Sequence, residues 1–417
     1  MINFDKFELD NGLKIIVHKD ATTPIVAFNL LYNVGARNES EERTGFAHLF
    51  EHLMFGGSKN VKNYDTLLQR AGGENNAFTN NDYTDYYLTI PKQNIETAFY
   101  LESDRMLELA FSKNSLEVQR NVVAEEFRQR YLNQPYGDVS LYMRPLAYKV
   151  HPYKWSTIGK SIDHVINASI EEVKDFFYNY YAPNNAILVV AGDVDAENIW
   201  KLSEKWFGSI PKRNVPRKSI KEEPRQLEKR ELVLERDVPS NAVYMAYHMC
   251  GRTDKEYYAT DLISDLLSNG RSSIFNINLI KGKQLFSELD GYVYGALDPG
   301  LFQISGKMYP GISFGDAEKA IKQEILKISS GNFSDRDLRK VKNKAISTQK
   351  LSRIGVLNIS MELAYYEWLG DAELLNHIEE RYEEVGKQQI IEISQDIFTD
   401  NNLSCIYYES KNNGDGG

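Results

Sequence analysis

The sequence predicts an α+β protein made of two homologous domains, each a mainly antiparallel sheet with helices packed on one face. Three observations predict it. A length of 417 residues exceeds what one core sustains and fits two domains of about 200 residues. Short strands of alternating polarity mix with longer helical stretches in both halves. Landmarks also recur at a nearly constant offset, the mark of a duplication.

The elements run as follows. Lys14–Val17 and Ile25–Tyr32 read as two strands ending at Gly35; Glu231–Leu234 and Ala242–Tyr247 read as two more ending at Gly251. The offset between the two glycines is 251 − 35 = 216. A helix from Glu171 leads to Asn184-Asn185 and the strand Ala186–Ala191. A helix from Glu383 leads to Asn401-Asn402 and the strand Leu403–Tyr408, an offset of 401 − 184 = 217. The basic, Pro-containing stretch Pro211 to Arg230 reads as a linker. The expected division is therefore 1–212, a linker 213–230, a second domain 231–410, and a disordered tail 411–417 (KNNGDGG).

The net charge of −10 argues against nucleic acid and against an anionic membrane surface as partners. No apolar run reaches the roughly 18 residues needed to span a membrane. The start Met1–Lys6 lacks the apolar core of a signal peptide, so the chain as given reads as cytoplasmic, or periplasmic if a signal has been removed. Cys250 and Cys405 lie far apart in apolar runs and read as buried thiols.

His48-Leu49-Phe50-Glu51-His52 carries the chemistry. Residues four apart on a helix share a face, so His48 and His52 can hold one metal ion between them, with Glu51 on the flank. Imidazole suits zinc, and a catalytic zinc keeps a position open beside its protein ligands. Thr44 reads as the N-cap, Glu41 and Glu42 as favourable charge before the first turn, and Gly56-Gly57 as the stop. Phe46, Ala47, Leu49, Phe50, Leu53 and Met54 make the helix apolar nearly all round. Burying two His and a Glu without partners costs several kcal/mol, and a metal ion accounts for them. The other reading is a solvated helix with incidental histidines, which the apolar flanks argue against. The corresponding helix of the second half is Tyr257–Leu267, where Asp261, Ser264 and Asp265 replace His48, Glu51 and His52. The remaining histidines, His18, His151, His164, His248 and His377, are scattered and read as surface or core residues.

With its H-x-x-E-H motif and duplicated halves, nearly the whole chain resembles the pitrilysin, insulysin and mitochondrial processing peptidase family of inverzincin metallopeptidases. The resemblance implies zinc, one Zn²⁺ per chain, and a clam-shell chamber closing around a peptide. It implies a third ligand, a glutamate on another helix. The segment Gln119–Glu126, read against the pattern R-x-x-V-x-x-E, selects Glu126, at an offset of 126 − 52 = 74 from His52. Glu125 is the competitor, about 100° away around the helix. Seven residues before the ligand, where many members carry a second glutamate, this chain has Gln119, two turns earlier on the same face. The stretch Asn76-Ala77-Phe78-Thr79 matches the family's sheet edge, which pairs with substrate through main-chain hydrogen bonds. Active single-chain members carry an Arg and a Tyr seven residues apart that hold the substrate carbonyl. Here Ile280 and Ser287 stand there, and neither can stabilise an oxyanion as the Arg or Tyr would; Arg271, Lys281 and Tyr292 are out of register. The expectation is a zinc metalloendopeptidase with Glu51 as general base, paired in a heterodimer with a related chain that lacks zinc and supplies Arg and Tyr. A homodimer is the other arrangement. The rival function is a non-catalytic zinc-binding or structural subunit of the same family. A few tyrosines are expected to line the chamber; Tyr136 and Tyr153 stand out only by their loop-like Pro-Tyr contexts.

Overall fold

The computed structural model describes residues 1–411; residues 412–417, most of the expected tail, lie outside the described residues. The first sheet contains β1 (Asp5–Glu8), β2 (Lys14–Lys19), β3 (Ile25–Tyr32), β4 (Glu74–Thr79), β5 (Thr84–Pro91) and β6 (Ala186–Gly192), in the order β1-β2-β6-β3-β5-β4. The second contains β7 (Arg230–Arg236), β8 (Ala242–His248), β9 (Phe286–Tyr294), β10 (Leu301–Met308) and β11 (Leu403–Ser410), in the order β7-β11-β8-β10-β9. Without β1 the two orders are the same. The single parallel pairing also recurs, β2 with β6 and β7 with β11, while every other pair is antiparallel. The helices that matter below are α1 (Phe46–Leu53), α2 (Ile95–Leu107), α3 (Lys113–Phe127), α4 (Val139–Ala147) and α5 (Ile170–Tyr180) in the first half. In the second half they are α6 (Tyr257–Ser268), α7 (Phe314–Ser329), α8 (Val356–Trp368) and α9 (Lys387–Ile397).

One side-chain contact repeats with the fold. The amide of Asn185 donates to the end of β3 at Asn33 O (3.1 Å) and to the end of α5 at Tyr180 O (2.8 Å). The amide of Asn402 does the same for His248 O (2.9 Å) and Ile397 O (2.8 Å), at an offset of 402 − 185 = 217. Each Asn satisfies a helix-end carbonyl that has no partner within its helix.

The compact units do not follow chain order. One consists of 1–127, 155–220 and 350–377; the other of 128–154, 221–349 and 378 onward. Each sheet thus takes a helix from the other half of the chain, in addition to the helices expected on one face. The linear division 1–212 and 231–410 misses this exchange, because an apolar helix pattern does not say which sheet it will cover. In the first unit, Phe28 on one face of β3 packs edge-on against Phe99 of α2 (5.0 Å between ring centroids). Ala27, on the opposite face, joins Ala191 and Val356 of α8 in a buried cluster. The small side chains let α8 lie close, and the sheet is buried on both sides, which is why β6 is apolar at every position. Lys6 and Lys14 reach Glu367 of α8 at 2.6 and 2.9 Å. In the second unit α4 covers β7, β8 and β11 in the same manner, with Met143 and Ala147 packed among Leu234, Ala246 and Ile406.

Residues 211–228 form no helix or strand and are tied down at both ends, while Arg230, the end of the expected linker, already lies in β7. In the first unit Arg213 donates to Tyr181 O (2.8 Å), Met106 O and Leu107 O (both 3.1 Å). In the second, Glu223 accepts the N–H groups of Lys149, Val150 and His151 at 2.7–2.8 Å. Cys250 and Cys405 are free thiols; burial pushes them up to about 11 and about 12, which disfavours the thiolate form.

Candidate metal centre

Helix α1 stands between the first sheet and α3, and its apolar side is fixed by aromatic stacking. The Phe50 ring stacks on Phe176 (5.0 Å) and on Tyr181 (5.1 Å). Just past its C-terminal end, Phe55 lies under the guanidinium of Arg105 (5.1 Å), itself buried and held twice by Glu102 at 2.8 and 2.7 Å. That fully buried ion pair also sits over Tyr64 and Tyr86. At the N-terminal end the structure corrects the expected cap. Gly45, in the left-handed region at φ 86°, is the N-cap, and it has no side chain to offer. Thr44 is occupied elsewhere, accepting from Lys160 N–H and lying 2.9 Å from His164 Nδ1. Glu39 takes its place, its two carboxylate oxygens accepting from Gly45 N–H (2.9 Å) and Ala47 N–H (2.8 Å). Burial pushes the Glu39 carboxyl up to about 8, against the N–H donors that favour its charge. Glu41 and Glu42 lie exposed outside the first turn.

The polar face of α1 presents His48, buried, with Glu51 and His52 half-buried beside it. In the last turn of α3, Glu126 Oε2 lies 3.5 Å from His48 Nε2 and 3.4 Å from His52 Nε2. These three residues form the one group of His, Cys, Asp and Glu among the described residues whose ligand atoms converge, all within 4.8 Å of each other. The distances test the fit to zinc. A tetrahedron with bonds of about 2.05 Å has edges of about 3.3 Å, the nitrogen-to-oxygen separations seen here within a few tenths. Glu126, not Glu125, reaches the histidines; Glu125 is exposed. Gln119 is half-buried two turns before Glu126. After Phe127 the α-helix widens into a π-helical turn, Arg128–Leu132, a feature frequent at functional sites.

The strand β4 is the outer edge of the first sheet, with β5 as its only neighbour, and α1 packs against it. Asn76, Ala77, Phe78 and Thr79 lie on it opposite Tyr87, Tyr86, Asp85 and Thr84. Ala77 N–H donates to Asn76 Oδ1 at 2.8 Å.

In the second unit Ile280 lies in a π-helical turn, Asn276–Gly282, and Ser287 is exposed on the edge strand β9, donating to Lys307 O (3.3 Å). Arg271 and Lys281 are exposed, and Tyr292 donates to Gln303 Oε1 (3.2 Å). On α6, Asp261 accepts from Tyr382 (2.6 Å) and Ser264 donates to Asp261 O (2.8 Å). Tyr153 is buried, its hydroxyl accepting from Asp298 N–H, and the half-buried Tyr136 donates to Ser240 O (2.8 Å).

Sequence reasoning missed Glu39, Arg105 and Glu102. Glu102 and Arg105 are spaced as a local ion pair on α2, but the burial of that pair against Phe55, Tyr64 and Tyr86 is a tertiary contact, and Glu39 acts across a loop; no local spacing announces either. For Glu39 the one available signal is an acidic residue shortly before Gly45, and Glu41 and Glu42 carry the same signal closer to the helix.

A duplicated α+β fold thus sets a His-His-Glu cluster, a candidate metal centre, beside an open sheet edge. Residues 14–159 match the insulinase family (peptidase family M16), and residues 167–345 match the peptidase M16 inactive domain. The chain is 29% identical over 411 residues to the zinc protease PqqE of Helicobacter pylori, covering 96% of this chain and 91% of that protein. It is 26% identical over 212 residues to the mitochondrial-processing peptidase subunit beta of Saccharomyces cerevisiae, 50% of this chain and 45% of that one. Among solved structures, a protease from Helicobacter pylori superimposes with a TM-score of 0.92 at 27% identity over 98% of this chain and all of its own. A peptidase M16 inactive domain from Pseudomonas fluorescens, at 16% identity, shares the fold (TM-score 0.89, 98% of both chains). The chain belongs to the pitrilysin/insulinase M16 family. No helix among the described residues is long and apolar enough to cross a membrane.

Proposed function

We propose that this chain is a zinc metalloendopeptidase that cleaves peptides or unfolded segments inside a clam-shell chamber, as the zinc-bearing subunit of a heterodimer. The observation that carries this reading is the convergence of His48, His52 and Glu126, with Glu126 lying from each histidine at about the edge length of a zinc tetrahedron. These three residues would hold one ion. When bound, zinc supplies Lewis acidity and brings the ionisation of water into the neutral range. Glu51, one turn from His48 and next to His52 in the chain, receives the proton of the attacking water on its carboxylate and delivers it to the leaving amine nitrogen. The free edge of β4 holds the peptide extended by main-chain hydrogen bonds, with the Asn76 amide giving up Ala77 N–H to a substrate carbonyl. The exclusion of folded proteins follows from the chamber.

The need for a partner rests on Ile280 and Ser287, where relatives active as single chains carry an Arg and a Tyr for the oxyanion. The same observation favours a second reading, a zinc-binding subunit without turnover. Peptide hydrolysis by the purified chain, alone and mixed with a related chain bearing Arg and Tyr, separates the two. Chelator-sensitive cleavage that rises in the mixture supports the heterodimer. Full activity of the chain alone removes the partner, and no cleavage in either case supports the subunit without turnover.

A further inference from the structure

We propose that Glu39 is a positioning residue for the metal ligands: it fixes the first turn of α1 and so sets His48 against His52 and Glu126. The proposal rests on the reading of these three as zinc ligands.

Helix α1 has eight residues, and His48 is the third of them, within the turn whose N–H groups have no partners in the helix. So short a helix frays at its ends unless something outside it holds the first turn. The usual device is a Ser, Thr, Asp or Asn at the N-cap. Here the N-cap is Gly45, and no other residue fits there: a Cβ would lie 2.6 Å from Ile158 O, on a backbone already at φ +86°. The cap comes instead from six residues upstream. Glu39 bonds Gly45 N–H and Ala47 N–H, the second belonging to the residue immediately before His48.

The loop that carries Glu39 is held at several points. Gly35 N–H donates to Asn38 Oδ1 (3.0 Å), Trp155 Nε1 to Ala36 O (3.0 Å) and the Tyr180 hydroxyl to Asn38 O (3.2 Å). Glu39 itself is 6% exposed. Burying a carboxylate to cap a helix is costly when a surface serine would do, and α5 shows the inexpensive solution. Ser169 caps it locally and Glu172 returns the bond.

The second unit supplies a control within the same chain. Its helix α6 holds the place of α1 in the duplicated fold, but only five residues separate Gly251 from Tyr257, against ten between Gly35 and Phe46. There is no room for a counterpart of Glu39. The N-cap of α6, Glu256, makes no side-chain capping bond, and the helix still spans twelve residues. The fold therefore does not require the imported carboxylate. The copy that has it is the copy whose helix carries the two histidines of the cluster. Ligand atoms need to be held within about 0.5 Å of their working geometry, and His48, in the least constrained turn of α1, is the ligand most in need of it.

The experiment is a zinc titration of the full chain against a competing chelator dye, for wild type, Glu39→Gln, Glu39→Ala and the control Ser169→Ala. Thermal melts and amide exchange at Gly45–Ala47 are followed in parallel. Glu39→Ala should lose at least about tenfold in zinc affinity, Glu39→Gln less, and both should exchange faster at these amides. Ser169→Ala should lose thermal stability and keep its zinc affinity. In cleavage assays the Glu39 variants should lose kcat with KM little changed, because the edge of β4 is untouched. If Glu39→Ala does not fold, Glu39→Gln decides alone. Folded Glu39 variants that bind zinc within twofold of wild type overturn the proposal. A wild-type chain that binds no zinc overturns the reading of the ligands instead, and with it the ground for this one.

Discussion

Helices α1 and α6 occupy one position in two copies of one fold, and among the described residues only α1 gathers metal-binding groups. Apart from β1, the sheets behind them have the same strand order, so the difference lies in the loop before each helix and in a few side chains. Where α1 shows His48 and His52, α6 shows Asp261 and Asp265. Where α3 brings Glu126 to the histidines, the corresponding helix of the second unit, Asp335–Ser352, brings Lys344. Its ammonium bonds Asn269 Oδ1, one turn beyond Asp265, and its charge acts on Asp265. A cation where the other copy has a carboxylate leaves no place for a metal ion. A duplicated scaffold can thus keep its architecture while one copy drops the chemistry, because the strands that define the fold and the helix faces that define the site are separate sets of residues.

The largest expected effect tests whether α1 does chemistry at all. Glu51→Gln should retain zinc, by elemental analysis, and lose about 10²- to 10⁴-fold in peptide hydrolysis, the range for removing a general base. Undiminished turnover would reduce α1 to a metal-binding helix. Next in size is the third ligand. Glu126→Ala should lose more than the roughly 10- to 100-fold in zinc affinity typical of outer-shell partners, while Glu125→Ala, at an exposed position outside the cluster, should keep wild-type content. Equal zinc in both variants would break the assignment.

Much of this was legible in the sequence, for physical reasons. H-x-x-E-H is a local pattern, and helix geometry converts its spacing into a shared face without further information. The strands β2, β3, β6, β7, β8 and β11 were legible because apolar runs bounded by Gly and Asn leave little choice. Glu126 needed the family resemblance, since so long a stretch of intervening chain does not fix a contact. The exchange of α4 and α8 between sheets was not legible. Their apolar faces are present in the sequence, but Ala27 and Ala191, which accept α8, look like any small strand residues. Glu39 was hidden for the same reason. A carboxylate in an irregular loop reads as a solvated charge until the fold closes over it.

A smaller effect separates the two sheets. By register, Asp85 on β5, opposite Leu31, corresponds to Gln303 on β10, opposite Ala246. Asp85 is buried at 1% exposure with the Asn29 amide 2.9 Å from both its oxygens, and burial pushes its carboxyl up to about 7. The first sheet therefore carries an ionisable group where the second carries a neutral amide. A carboxyl raised on folding contributes stability that is fully present below its unfolded value near 3.8 and is lost as pH rises through 7. Denaturant unfolding of the metal-free chain should then show Asp85→Asn gaining on wild type from about pH 4 to 7. The gain approaches about 1.4 kcal/mol per pH unit and becomes constant above. Parallel curves across that range would mean that Asp85 is already ionised in the folded protein.

The smallest expected effect is none. Asp261→His with Asp265→His restores the two-histidine spacing on α6, yet zinc content should stay at one per chain, because Lys344 faces the new site where Glu126 faces the old one. Adding Lys344→Glu replaces that cation by a carboxylate, and the zinc count of this triple variant should move toward two. A second zinc in the double variant would show that two histidines suffice on this scaffold. The difference between the two helices would then lie in the histidines themselves, and the carboxylate brought by α3 would matter less than its geometry suggests.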